Sequence, residues 1–135
     1  MTVAPASTPI RILFVEDDDV VRAFFAEELA SAGFAVTPIG LAEQALDALA
    51  SAQPQAIVLD LGMPAGTMQG MEFLARLRED PTWRTVPVVI LSALGDVVNR
   101  DVTSRLAVAA ILSKPLADVR RLIEVIRHVT GGQRP

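Results

Sequence analysis

The sequence predicts an α/β fold, a doubly wound five-stranded parallel sheet with helices on both faces, on three observations. Short apolar runs alternate five times with stretches of helical periodicity along the 135 residues, the pattern of repeated strand–helix units. The runs ILFV, AIVL and VVIL are continuous rather than alternating, as in strands buried on both faces. Composition agrees: 51% of residues are hydrophobic and only 4% aromatic, so the core is built from Val, Ile, Leu and Ala.

Each element follows in order. Residues 1–9, MTVAPASTP, are Pro-, Ser- and Thr-rich and predict a flexible N-terminal leader. Residues 10–15 form the first strand, which ends in acids. Asp18 or Asp19 caps the first helix, with Val20, Phe24 and Leu29 expected on its inner face, and Gly33 follows its C-cap. Residues 35–39 form a second strand, placed at a sheet edge by Pro38, which has no N–H to donate. A helix over 41–52 turns Leu41, Ala45, Leu46 and Leu49 inward.

The third strand, 56–59, runs straight into Asp60. A Gly/Pro-rich loop, LGMPAGTMQG, then leads to a helix over 71–79. Strand four covers 86–91, helix four 96–106 and strand five 109–112. An amphipathic helix over 116–129 precedes the short polar tail at 131–135, so the folded domain is expected over 10–130. Right-handed crossovers put helices on both faces. Periodicity does not give strand order, but an edge-like second strand fits the flavodoxin-like order 2-1-3-4-5.

Several function classes are opposed by composition. A net charge of −4 argues against nucleic-acid binding by the domain itself, which needs a basic face. The absence of cysteine removes disulfides, thiolate metal sites and cysteine nucleophiles. The leader lacks the basic and apolar regions of a signal peptide, and no apolar run is long enough to span a bilayer. The expected location is the cytoplasm, without membrane attachment.

In a parallel α/β sheet the functional crevice lies at the carboxyl ends of the strands. Strand one ends in Glu16, Asp17 and Asp18, strand three in Asp60, strand four in Ser92, and strand five is followed by Lys114. Four strand ends thus deliver carboxylates, a hydroxyl and an ammonium to one rim. Clustered carboxylates repel unless something positive sits among them. A hard cation such as Mg²⁺ takes oxygen ligands and tolerates substrate phosphate, and Lys114 adds a second positive charge. Phosphoryl transfer needs this neutralisation.

The runs ILFVEDDDVVR, IVLDLGMP, VPVVILSA and ILSKPL, in this order, resemble the receiver domains of two-component response regulators over about residues 10–130. The spacing, 32 residues from Asp60 to Ser92 and 22 from Ser92 to Lys114, matches as well. The resemblance implies a phosphoacceptor at Asp60 and a site for Mg²⁺ (or Mn²⁺) made by Glu16, Asp17, Asp60 and the backbone carbonyl of Gly62. It implies a switch hydroxyl at Ser92, a small residue at Ala93 that leaves the phosphoryl group room, and a phosphate-pairing lysine at Lys114. Asp18 falls one place beyond the metal pair and is free to serve the helix N-terminus. Implied partners are a sensor histidine kinase or a histidine phosphotransfer protein. A downstream protein would bind the face of the fourth helix, fifth strand and fifth helix, with a homodimer as a further option. Self-phosphorylation and dephosphorylation with Mg²⁺ would be the only catalysis.

Three features depart from the family pattern. The loop from Asp60 to Gly70 is two residues longer than usual. Ile111 stands where many receivers carry Tyr or Phe, so an inward aromatic swing has no counterpart here. Gly62 and Leu94 occupy positions that tune phosphoryl lifetime, and neither can orient an attacking water, which implies slow self-dephosphorylation. The first two favour an alternative, a receiver-like interaction module that works without phosphate; the complete acid, hydroxyl and lysine set opposes it. An aspartyl-phosphate phosphatase of the haloacid-dehalogenase type expects a second Asp two residues on, where Gly62 stands. The sequence also assigns His128 and the basic residues Arg120, Arg121 and Arg127 to the solvated side of the last helix, and Trp83 to local packing.

Overall fold

The computed structural model describes residues 8–92, 106–113 and 119–131. Five strands, β1 (Arg11–Val15), β2 (Ala35–Ile39), β3 (Ala56–Asp60), β4 (Val88–Ser92) and β5 (Ala110–Ser113), pair in parallel in the order β2-β1-β3-β4-β5. The described helices are α1 (Asp19–Ser31), α2 (Ala42–Ala52), α3 (Gly70–Glu79) and α4 (Val119–Val129). The expected fold and strand order are therefore observed. The helix expected over 96–106 lies, apart from Leu106, outside the described residues. So do residues 1–7, 116–118 and 132–135, and Ala93, Leu94 and Lys114.

Strand alternation divides the apolar residues into two cores. Leu13, Val15, Ile57, Leu59, Val88 and Ile90 face α2 and α3, which contribute Ala45, Leu49, Phe73, Leu74 and Leu77. Ile12, Phe14, Val58, Val89, Leu91 and Leu112 face α1 and α4, which contribute Leu29, Leu122, Val125 and Ile126. All five residues of β3 are buried, as its central position demands. Pro38 sits on the edge strand β2, as expected, where its missing N–H breaks no ladder.

One expected face is corrected. Val20 and Phe24 are 79% and 54% exposed, so Val21 and Phe25 take their place on the inner face of α1 beside the expected Leu29. One residue is 100° of helix, and a run containing Val20, Val21, Phe24 and Phe25 offers two stripes of equal spacing. Only docking on the sheet separates them. Caps behave as the local chemistry requires. The Asp18 carboxylate accepts from the N–H groups of Val20 and Val21 at 3.0 and 2.9 Å. Gly33 takes φ +101° after the C-cap Ala32. Helix α2 ends at Gln53 in the left-handed region (φ 44°), which no glycine announced.

His128 is exposed on α4, and Trp83 packs against the first core, as expected. Arg127, however, is not simply solvated. Its guanidinium donates to the Ala32 carbonyl at 3.0 Å and lies 5.5 Å over the Phe34 ring, closing the end of α1 against α4.

Arg78 ties the end of α3 to the chain entering β5. It donates to the carbonyls of Leu106 (2.7 Å), Ala107 (3.0 Å), Val86 (2.7 Å) and Trp83 (3.2 Å). Burial pushes this guanidinium down from its ordinary value. Its carbonyl partners include that of Ala107, which holds a left-handed φ of 56°. Lysine cannot reproduce such a planar fork. Arg78→Lys is expected to lower stability by about 2 kcal/mol, read as a lower urea midpoint at unchanged m-value.

Candidate metal and phosphoacceptor site

The pairing of Val15 with Leu59 puts the next residues, Glu16 and Asp60, side by side at the carboxyl ends of the two central strands. From β1 the chain winds to β2 on one side and then to β3 on the other, so this rim is the topological switch point of the sheet. Carboxylate oxygens of Glu16, Asp17 and Asp60 lie within 4.8 Å of one another. Glu16 is 1% exposed and Asp60 8%, while Asp17, which begins the loop, is partly exposed.

Backbone hydrogen bonds hold Glu16 and Asp60 in place. The Glu16 N–H donates to the Ile39 carbonyl at 3.0 Å, which anchors it to the end of β2. Its carboxylate accepts from the Asp18 N–H at 3.1 Å. Asp18 spends its own carboxylate on the α1 cap and is absent from the cluster. The Gly62 N–H donates to Asp60 Oδ1 at 3.1 Å, which fixes the rotation of that carboxylate.

The longer loop is folded on itself. Pro64 to Thr67 forms a turn, with the Thr67 N–H donating to the Pro64 carbonyl at 3.1 Å and Gly66 at φ +86°. Gln69 closes the loop from within. Its Oε1 accepts from the Met63 N–H, and its Nε2 lies 3.2 to 3.3 Å from the carbonyls of Met63, Pro64 and Thr67. At the start of α3, a Cβ on Gly70 would lie 2.8 Å from the Leu61 Cα and 3.0 Å from the Asp60 carbonyl oxygen. The helix therefore begins tight against the backbone that carries Asp60.

The expected acids Glu16, Asp17 and Asp60 are thus brought together. Gly62 lies beside them, with room for a side chain, since a Cβ there would sit 3.9 Å from Asp60 Oδ1. Ser92 ends β4 at the same rim, with Leu91 opposite Asp60 and Ser92 opposite Ser113. Sequence reasoning missed Arg22 and Gln69. Gln69 belongs to no motif, and for Arg22, which ends the run ILFVEDDDVVR, only the i, i+3 spacing from Asp19 hinted at a charged partner.

The donor set suits a hard divalent cation. Three carboxylates supply only oxygen, and two of them are buried where like charges repel strongly. Thiolate and imidazole ligands, which would favour softer metals, are absent from the cluster.

A family model described as the response regulator receiver domain matches residues 12–127. Similar curated proteins include the transcriptional regulatory protein CseB of Streptomyces coelicolor, 33% identical over 91% of this chain and 53% of that protein. The KDP operon transcriptional regulatory protein KdpE of Escherichia coli is 34% identical over 77% of this chain and 44% of its own length. The response regulator Rre1 of Synechocystis is 33% identical over 93% and 54%. The chain thus spans about half the length of the curated relatives it matches. Among solved structures, the chemotaxis protein CheY4 of Vibrio cholerae superposes with a TM-score of 0.81 at 22% identity, covering 90% of this chain and 98% of that one. At that identity the likeness speaks for the fold. A sensor protein from Polaromonas gives 0.80 at 28% identity, covering 91% and 97%.

Proposed function

The chain belongs to the response regulator receiver family, and from that premise we propose that Asp60 accepts a phosphoryl group from a sensor histidine kinase or a histidine phosphotransfer protein. The observation that carries this reading is the convergence of Glu16, Asp17 and Asp60 within 4.8 Å at the carboxyl ends of β1 and β3. Those three carboxylates and the Gly62 backbone carbonyl would hold Mg²⁺ or Mn²⁺. When bound, the cation supplies positive charge to the phosphoryl oxygens. An Asp60 carboxylate oxygen attacks phosphorus in line, the donor P–N bond breaks, and the departing imidazole takes up a proton. The Gly62 N–H orients the nucleophile, and burial of Asp60 limits competing water. Ser92 and Lys114 are assigned to meet the phosphoryl oxygens, with Ala93 leaving space for them.

The acyl phosphate adds close to two negative charges. It biases a pre-existing equilibrium, read by a downstream protein on the side of the sheet that carries β5 and α4, to which the resemblance adds the fourth helix expected over 96–106. That face also offers a homodimer contact. Ile111 is 38% exposed on β5, so readout there uses an aliphatic side chain. The net charge of −4 disfavours nucleic acid as the direct partner, and no described helix is long and apolar enough to cross a membrane. Such partners fit a cytoplasmic protein.

Acetyl phosphate with Mg²⁺ tests the reading. A hydroxylamine-labile phosphoryl group should form on Asp60 and be lost on chelation of the cation. No labelling at any Mg²⁺ concentration would favour the phosphate-independent interaction module, which the folded loop and exposed Ile111 suit.

A second expectation concerns the donor. Val20 and Phe24 present an exposed apolar stripe on α1, with Phe24 edge-on to Phe25 at 5.3 Å. Exposed aromatic anchors are typical docking points. Phe24→Ala should slow transfer from the protein donor about tenfold while leaving acetyl phosphate labelling unchanged. Equal loss with both donors would sink this assignment.

A further inference from the structure

We propose that Arg22 is a positioning residue for the cation-binding acids, an inference that rests on the reading of Glu16, Asp17 and Asp60 as a divalent-cation site. Its guanidinium bridges the end of β1 and the first turn of α1. Nη1 donates to the Glu16 carbonyl at 2.8 Å and more weakly to the Asp17 carbonyl at 3.4 Å. Nη2 pairs with Asp19 Oδ1 at 2.6 Å. The end of β2 forms a third wall, where a Cβ on Gly40 would lie 3.1 Å from Nη1. The Glu16 main chain is therefore gripped on both sides, its N–H by Ile39 and its carbonyl by Arg22.

Energetics point to the carbonyl contacts rather than to the ion pair. The Asp19 side chain is 88% exposed and the Arg22 side chain 24%. A pair with one partner so solvated contributes little. The less exposed end of the interaction is the Glu16 carbonyl, to which a charged donor binds more strongly than a neutral one. Groups that orient ligands in this way commonly change metal affinity by tenfold or more when removed.

Charge and position make opposite predictions. A guanidinium close to a cation site repels the cation, so removing it should tighten binding if charge alone mattered. If Arg22 holds the acids in register, its removal should loosen binding. Calorimetric titration of the 135-residue chain with MgCl₂ separates the two. Arg22→Ala and Arg22→Lys should each weaken Mg²⁺ binding about tenfold, with the loss unchanged between low and moderate NaCl. Gly40→Ala, which retains Arg22 but crowds its guanidinium, should weaken binding in the same direction. The urea midpoint measured without Mg²⁺ should move little in Arg22→Lys.

Tighter Mg²⁺ binding in Arg22→Ala, or wild-type binding in Arg22→Lys, would overturn the proposal, because charge would then account for the effect. Asp17→Asn serves as the control on the site itself. If it binds Mg²⁺ as well as the wild type, the underlying cation-site reading fails, and the role of Arg22 with it. If Asp17→Asn loses binding while the Arg22 variants keep it, only the positioning role is refuted.

Discussion

Asp60→Asn is expected to abolish labelling by acetyl phosphate and, without divalent cation, to raise the melting temperature. The first effect is chemical: an amide oxygen cannot form the acyl phosphate. The second follows from the cluster. Unit charges about 4 to 5 Å apart interact by about 4 kcal/mol at an effective dielectric constant near 20. Glu16, Asp17 and Asp60 meet at such separations, with Glu16 and Asp60 buried. Asparagine keeps the Oδ1 acceptor used by the Gly62 N–H, so that contact survives the substitution. Solvent and neighbouring groups offset most of the repulsion, leaving a net gain of about 1 kcal/mol, or roughly 4 °C. Thermal scans with and without MgCl₂ check it: the wild type should gain more from Mg²⁺ than the variant. Persistent labelling, or a lower melting temperature in cation-free buffer, would contradict the site as drawn.

Gly70→Ala should be the most damaging single-carbon change. Its Cβ would stand 2.8 Å from the Leu61 Cα and 3.0 Å from the Asp60 carbonyl oxygen, and only one of the three nearest atoms belongs to a movable side chain. Either α3 retreats from the sheet or the backbone after Asp60 shifts. The first option loosens Phe73, Leu74 and Leu77, all fully buried. The second breaks the geometry that the Gly62 N–H gives the Asp60 carboxylate. Overpacking of this kind costs about 3 kcal/mol, and labelling should slow at least tenfold even where the variant stays folded. Gly66→Asn, at φ +86° with nothing within 4 Å of a Cβ, is the matched control: it strains the backbone by about 1 kcal/mol but crowds no neighbour and should leave labelling unchanged. A Gly70→Ala protein with wild-type stability and labelling would mean that the contact relaxes without cost.

The distinction between legible and hidden features follows the range of the interactions. Continuous apolar runs announced β1, β3 and β4, because strands buried on both faces leave no polar positions. Acids and Asp60 placed at the ends of those runs announced the rim, since a strand end is a fixed place in a parallel sheet. A cap at Asp18 or Asp19 was legible because capping is settled within three residues, and the structure takes Asp18. By contrast, the choice between the Val20–Phe24 and Val21–Phe25 stripes depends on where α1 meets the sheet. The left-handed Gln53 depends on the packing of α2, since its own side chain argues against that conformation.

For this protein the sequence alone determined the α/β class, the strand-end placement of Glu16, Asp17 and Asp60, and the family resemblance they carry. These rest on local periodicity and on chemistry attached to chain position. The tertiary structure decided which acids meet, leaving Asp18 to the helix and joining the other three across β1 and β3. It also decided that the lengthened loop closes around Gln69, that Gly70 abuts Asp60, and that Arg22 grips the Glu16 carbonyl. Each of those contacts links residues on different elements or across a folded loop, and no local pattern in the chain encodes where two separated groups come to rest.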